Sequence, residues 1–421
     1  MYKVSIILVF FLMWSRWTFG ADADPVPIEI GDPLPYGQAP IDYFEAETSN
    51  AVGRLQPQIE SGKLKFKAEP TLGYLPSVLK ALEISPASQM LVFSKTALNP
   101  KLVSPQTPRA VFFNEDTYVG YVPGAAALEI AAVDPVKGWM FYTLTQPEYS
   151  AEKDRPTIQR ESQCLACHAG QSTLRIPGGL VRGFVPDDKG NPLSGYSRIT
   201  HETPFEKRFG GWYVTGSHGK MTHRGNILES KTGPAAKLMP SPNNLNDLAG
   251  VFDASQYPST KSDITAQMLL HHQIHGQNLL IRVGYESRFG KRSDAEDQLI
   301  RYLLFRDEAP LAEPIQGSTK FADWFQNRGR KDSQGRSLRD WNLETRLMKY
   351  RLSDLIESEL FDNLPGDVKK RIYQKLWEGL SAENPVEPFD HLPEEERQAI
   401  LEITSELKDD LPANWRQLRN R

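Results

Sequence analysis

Hydrophobic positions in this chain follow one period in its first third and another in its last. Between Met90 and Leu144 the apolar residues come in short β-branched and aromatic runs: Met90–Phe93, Ala110–Phe113, Tyr118–Tyr121, Leu128–Val133 and Trp139–Leu144. The spacers Asn114-Glu115-Asp116, Pro123-Gly124 and Asp134 to Gly138 are turn formers. Runs of this kind between such spacers predict a small antiparallel sheet, connected as a meander. Ahead of it, Asp24 to about Pro70 is punctuated by prolines, which predicts an extended arm with one short helix near Ile41–Glu47. Leu75, Val78, Leu79 and Leu82 then recur at helical spacing until Ser85-Pro86 stops them.

From Thr260 onward the period is helical. Ser262-Asp263 is suited to cap a helix running to about Tyr285, and its apolar residues surround most of the circumference, as in a buried helix. Further helices are predicted at Asp294–Leu304, Lys320–Gln326, Trp341–Tyr350, Ser353–Phe361, Gly366–Leu380 and Pro393–Lys408. No internal repeat of fixed period is present. At 421 residues the chain is long enough for two or three units. The pattern divides it into 24–150 (arm, short helix and sheet), 151–260 (loop-rich) and 261–421 (helical scaffold).

The N-terminus carries a different signal. Lys3 precedes an apolar run from Val4 to Met13, followed by small residues at Gly20, Ala21 and Ala23. Residues 1–23 therefore read as a secretory signal peptide, since the run is short of the ~20 residues needed to span a bilayer. Export with no stable membrane anchor after cleavage is the expectation. Net charge is −4 with both signs interspersed, which gives no footprint for nucleic acid.

The two cysteines of the chain fall together in Cys164-Leu165-Ala166-Cys167-His168. C-x-x-C-H is the attachment sequence of c-type haem, with two thiols for the porphyrin's vinyl groups and an adjacent imidazole for the iron. A C-x-x-C redox dithiol or a local disulfide would not call for the following histidine, and a four-ligand zinc site would need more sulfurs or spaced histidines. One covalent haem c is thus expected on Cys164 and Cys167, with His168 as the proximal iron ligand. The fold class expected for the whole is α+β, predominantly α, with the small antiparallel sheet preceding a loop-rich haem segment and a helical C-terminal region.

Residues 164–168 resemble the haem site of the c-type cytochromes. The run from Gly210 to Gly216 (Gly-Gly-Trp-Tyr-Val-Thr-Gly), with Ser217-His218-Gly219 after it, resembles large secreted single-haem cytochrome c domain-containing proteins of undescribed function. The resemblance implies haem attachment after translocation, in a bacterial periplasm or outside the cell. It also makes Pro177 the candidate whose carbonyl accepts from the proximal histidine's other ring nitrogen. The predicted sheet is an addition to the helical small cytochromes c.

The second face of the iron decides the function. Met221 lies at a separation from the motif similar to that of the axial methionine in small c-type cytochromes, and Met239-Pro240 has a methionine-proline neighbourhood often seen there. His218 and His223 flank Met221 in the glycine-bounded loop Gly216–Gly225, and His218, Met221 and His223 are the distal candidates, His218 first. His271 and His275 share one face of the long helix, where they either line a haem pocket or sit as hydrogen-bonded core histidines. Arg160, Arg175 and Arg182 are near in sequence and suited to the haem propionates. The leading expectation is electron transfer with redox partner proteins. The alternative is a haem-dependent oxidoreductase acting on peroxide, nitrogen oxides or other small molecules through an open sixth position.

Overall fold

Five of the six strands of one antiparallel sheet are those the alternation predicts. In a computed structural model, which describes residues 26–45, 47–95, 97–149, 156–193, 195–228 and 244–416, they are β1 (Met90–Val92), β2 (Arg109–Phe113), β3 (Thr117–Tyr121), β4 (Ala127–Asp134) and β5 (Gly138–Thr145). They pair in sequence order as a meander, and β6 (Ile158–Arg160) completes the edge beside β5. β6 carries no legible alternation in its three residues, so its pairing is a tertiary event. The expected signal peptide, 1–23, lies outside the described residues.

Both faces of the sheet are covered. One face packs on the N-terminal arm and on helices α1 (Ala51–Glu60) and α2 (Leu75–Ala81); Asn50, the cap of α1, donates to the Tyr142 hydroxyl at 2.9 Å. Where a helix is predicted at 41–47, residues 41–45 form turns instead, fixed by the buried Tyr43, whose hydroxyl donates to the Trp139 carbonyl at 2.8 Å. Helix α1 lies some residues later, its propensity masked by Gly53 and Pro57.

The other face meets the haem-motif segment, which contains the one-turn helix α3 (Leu165–His168), and the long helix α4 (Ile264–Arg288). Asp263 caps α4 as predicted, its carboxylate accepting from the Ala266 N–H at 2.8 Å, and every residue from Ile264 to Glu286 is buried. Tyr118 ties sheet to helix: its hydroxyl donates to Gln277 at 2.8 Å and accepts from Gln273 at 2.7 Å. Gly276 lets Leu355 press on the helix, since a Cβ there would stand 2.3 Å from the leucine's Cδ1.

Helices α5 (Ala295–Leu303) and α6 (Thr319–Asn327) follow close to their predicted bounds. The helix expected at 341–350 does not form, because the Asn342 side chain accepts from the N–H groups of Glu344, Thr345 and Arg346 and holds a turn. The one expected at 353–361 is split into a 3₁₀ turn (Asp354–Glu357) and α7 (Glu359–Asp362), each started by its own serine cap, Ser353 and Ser358. Helices α8 (Gly366–Leu380) and α9 (Glu394–Leu407) close the scaffold. Helix exceeds strand, and one continuous hydrophobic core runs from Leu34 to Trp415 through arm and sheet, loop-rich segment and helical scaffold.

Candidate haem site

A strand sends alternate side chains to opposite faces, so the sheet register fixes which residues share the face toward α3 and α4. Val111, Gly120, Glu129 and Thr143 stand opposite one another across β2 to β5, and Tyr118, Ala131 and Phe141 form the neighbouring row. These residues, with Arg109 and Trp139, are the floor of a cavity of 410 Å³. Cys164, Cys167 and His168 stand on its wall, and Val181, Arg182, Trp212, Leu270 and Ile274 line other parts of it. The haem motif and the sheet, separate readings in the sequence, thus enclose one space.

His168 is fixed in one tautomer. Its Nδ1 lies 2.9 Å from the Gly178 carbonyl oxygen, an acceptor only, so Nδ1 carries the proton and Nε2 keeps its lone pair. Burial lowers its pKa to about 4, so the ring is neutral at physiological pH. Phe141 supports it from the sheet, ring centroids 4.7 Å apart. The acceptor is Gly178 and not Pro177: the Pro177 carbonyl accepts from the Trp139 N–H at 3.2 Å. Asn278 of α4 grips Gly179 on both backbone groups, accepting from its N–H at 2.9 Å and donating to its carbonyl at 2.8 Å, which fixes the Gly178 carbonyl.

Both cysteines are free thiols. Burial, reinforced by Glu129 and Glu161, pushes Cys164 up to about 11. A dithiol built for redox exchange has a lowered thiol pKa, and this environment does the opposite. Among the described residues no group of three or more His, Cys, Asp or Glu is arranged to hold a metal ion. A macrocycle that brings its own four nitrogens would need a single imidazole, and His168 is the imidazole on this wall.

Unpartnered donors give a second test of fit. Arg182 Nε and Trp139 Nε1 are buried nitrogens without hydrogen-bond partners, and both residues line the cavity. Buried N–H groups are nearly always paired, and carboxylates bound in the cavity, as haem propionates would be, would pair them. Arg182 also stacks over Tyr196 at 4.2 Å. The other two propionate candidates are placed otherwise: Arg160 donates to the Tyr43 and Phe44 carbonyls, and Arg175 is exposed and off the cavity wall.

His218, Met221 and His223, the expected distal residues, do not line this cavity. His218 and His223 are buried side by side, ring centroids 4.7 Å apart, against Phe205, and Phe209 covers His223. Each accepts a backbone N–H on one ring nitrogen, where His168 donates to a carbonyl. The Asn244 N–H donates to His218 Nε2 at 3.2 Å and the Gly225 N–H to His223 Nδ1 at 3.0 Å, which puts the proton on each ring's remaining nitrogen. His271 and His275 also miss the wall, to which α4 presents Leu270 and Ile274. Met239 lies outside the described residues.

An ion pair reaches the cavity floor, Arg109 and Glu129, 2.8 Å apart with only 20% and 23% of their side chains exposed, and Thr143 beside it donates to Glu161 at 3.0 Å. Neither Arg109 nor Glu129 was singled out by motif. The available signal was their place in the alternation, a charged residue at a position of each strand where the inward face calls for an apolar one. No family model, no curated protein and no solved structure matches the chain.

Proposed function

We propose that the chain is an exported mono-haem c-type cytochrome, with haem c attached through Cys164 and Cys167, His168 as the proximal iron ligand, and electron transfer to redox partner proteins as its work. The observation that carries this reading is the His168 tautomer: a neutral imidazole, its Nδ1 proton committed to Gly178, on the wall of the cavity that also presents both thiols. Haem c when bound supplies a one-electron iron couple. The chain's part is to hold and tune it. Gly178 raises the basicity of His168, Arg182 and Trp139 offer donors to the propionates, and Val111, Phe141, Val181, Leu270 and Ile274 keep water from the cavity.

A second reading, haem-dependent chemistry on a small molecule at an open sixth position, is favoured by one observation. Among the described residues on the cavity wall, His168 is the sole imidazole and there is no methionine. Export rests on the apolar run at Val4–Met13, and no helix among the described residues is long and apolar enough to cross a membrane.

The deciding experiment is expression with a c-type haem maturation system, followed by denaturing electrophoresis with haem staining and a pyridine haemochrome spectrum. One haem per chain that resists acid-acetone extraction, and is lost in Cys164→Ala/Cys167→Ala, is the expected result. Haem that extracts freely would overturn the reading.

A further inference from the structure

Arg109 and Glu129 are sheltered charges on the cavity floor, and the propionate assignment leaves them unused. Beside the pair the sheet carries no side chain at Gly120, which leaves room for about one methyl-sized group. Gly120 stands opposite Glu129 in the middle of β3, and a Cβ built there would lie 3.4 Å from Glu129 Cβ, 3.5 Å from its Oε2 and 3.6 Å from Arg109 Cδ. A glycine inside a strand weakens it and marks a place where something approaches closely. Here the space over the glycine is bordered by a carboxylate oxygen on one side and a guanidinium arm on the other. Arg109 Nε is in addition a buried donor without a partner. The pair is also within electrostatic reach of the haem motif, since both charges act on His168 and Glu129 acts on Cys164.

We propose that Arg109, Glu129 and Gly120 form a niche for a small, neutral, protic ligand H–X of the haem, the class that includes peroxides, hydroxylamine and hydrogen cyanide. The proposal rests on the haem reading above. The charge of the niche selects the class: an anion would face the carboxylate and a cation the guanidinium, whereas a neutral molecule with one proton to give and one lone pair to offer suits both. On binding, the H–X bond breaks, its proton passes to a Glu129 carboxylate oxygen, and its electron pair stays on X. Neutralising Glu129 releases the Arg109 N–H that it held, so the guanidinium turns from the carboxylate to X⁻, with the unpartnered Nε–H as a second donor. Net charge in the niche is unchanged, which is what a partly buried site requires. The Leu98 N–H, 2.9 Å from Glu129 Oε1, holds the carboxylate in place from the loop that follows β1.

Hydrogen cyanide is the probe, because it must lose its proton to bind and the reaction is followed optically without turnover. The ferric holoprotein is mixed with cyanide at pH 7 in a stopped-flow instrument, for wild type, Glu129→Gln and Gly120→Ala. Glu129→Gln keeps the acceptor for Leu98 but cannot take the proton, and its association rate is expected to fall about a hundredfold, the usual scale of a positioned base. Gly120→Ala adds a methyl group at ordinary contact distance, filling the niche without strain, and is expected to slow binding while the haem spectrum is unchanged. If covalent haem is present and both variants bind cyanide at the wild-type rate, or the wild type binds none, the niche is refuted and the haem reading stands. If the purified protein carries no covalent haem, the haem reading itself has failed.

Discussion

The Nδ1 proton of His168 is held by the carbonyl of Gly178 at 2.9 Å, one residue beyond the proline from which a partner was expected. Pro177 turns its own carbonyl to the Trp139 N–H, so adjacent carbonyls of this loop hold β5 and His168 in turn. The arrangement depends on α4, because Asn278 is bonded to both backbone groups of Gly179.

Asn278→Ala is expected to strip partners from two buried backbone groups and to destabilise the protein by about 2–4 kcal/mol. Denaturant unfolding measures the loss. The iron–histidine stretch of the ferrous protein should move to lower frequency in the same variant, since the Gly178 carbonyl that polarises His168 is no longer fixed.

His218→Ala, Met221→Ala and His223→Ala are each expected to leave the ferric spin state and the Soret position unchanged. These residues sit off the cavity wall, and the two rings turn protonated nitrogens, not lone pairs, to their free sides. Optical and electron-spin spectra of the three variants check this.

Arg182→Leu and Trp139→Phe remove donors suited to propionates. Less compensated carboxylate charge near the iron favours the ferric state, so the midpoint potential should drop, by on the order of 30–60 mV for each variant, about 1 kcal/mol for a one-electron couple. Spectroelectrochemical titration reads the shift, and an unchanged potential would remove both residues from the haem environment.

Acid should destabilise the fold through its buried imidazoles. Burial lowers His223, His272 and His275 from 6.5 to about 3. Each is neutral when folded and free to protonate once unfolded, so its contribution is complete above about pH 6.5 and is lost as pH falls toward 3. Between these limits each group makes stability fall by about 1.4 kcal/mol per pH unit. Burial also raises Asp263 to about 6 and Glu308 and Glu357 to about 7, which acts in the opposite sense, so the test is a difference: in urea unfolding at pH 5, 6 and 7 the pH slope of His275→Gln should differ from that of the wild type by about one proton.

How much was legible in the sequence depended on how local each feature is. The C-x-x-C-H pentapeptide reads directly as a cluster of two thiols and an imidazole, because residues within five positions need no distant partner to meet. The meander and α4 read nearly as well: alternation, turn residues and the Asp263 cap act within a few positions of themselves. Trp341–Tyr350 failed for a local reason too, since Asn342 offers its backbone neighbours a turn in place of a helix.

The surroundings of the motif were decided only by tertiary structure. That Arg109 and Glu129 share a floor with Gly120 follows from the register of three strands, and register is set by which face the core buries. That His218 and His223 pack under Phe205 and away from the cavity follows from how the glycine-bounded loop closes on α4 and on Asn244, contacts that no spacing within the loop encodes. By itself the sequence determined that two thiols and an imidazole stand together, because Cys164, Cys167 and His168 lie within five residues. What faces the rest of the cavity had to wait for the fold, since side chains far apart in the chain meet there only when sheet and helix pack together.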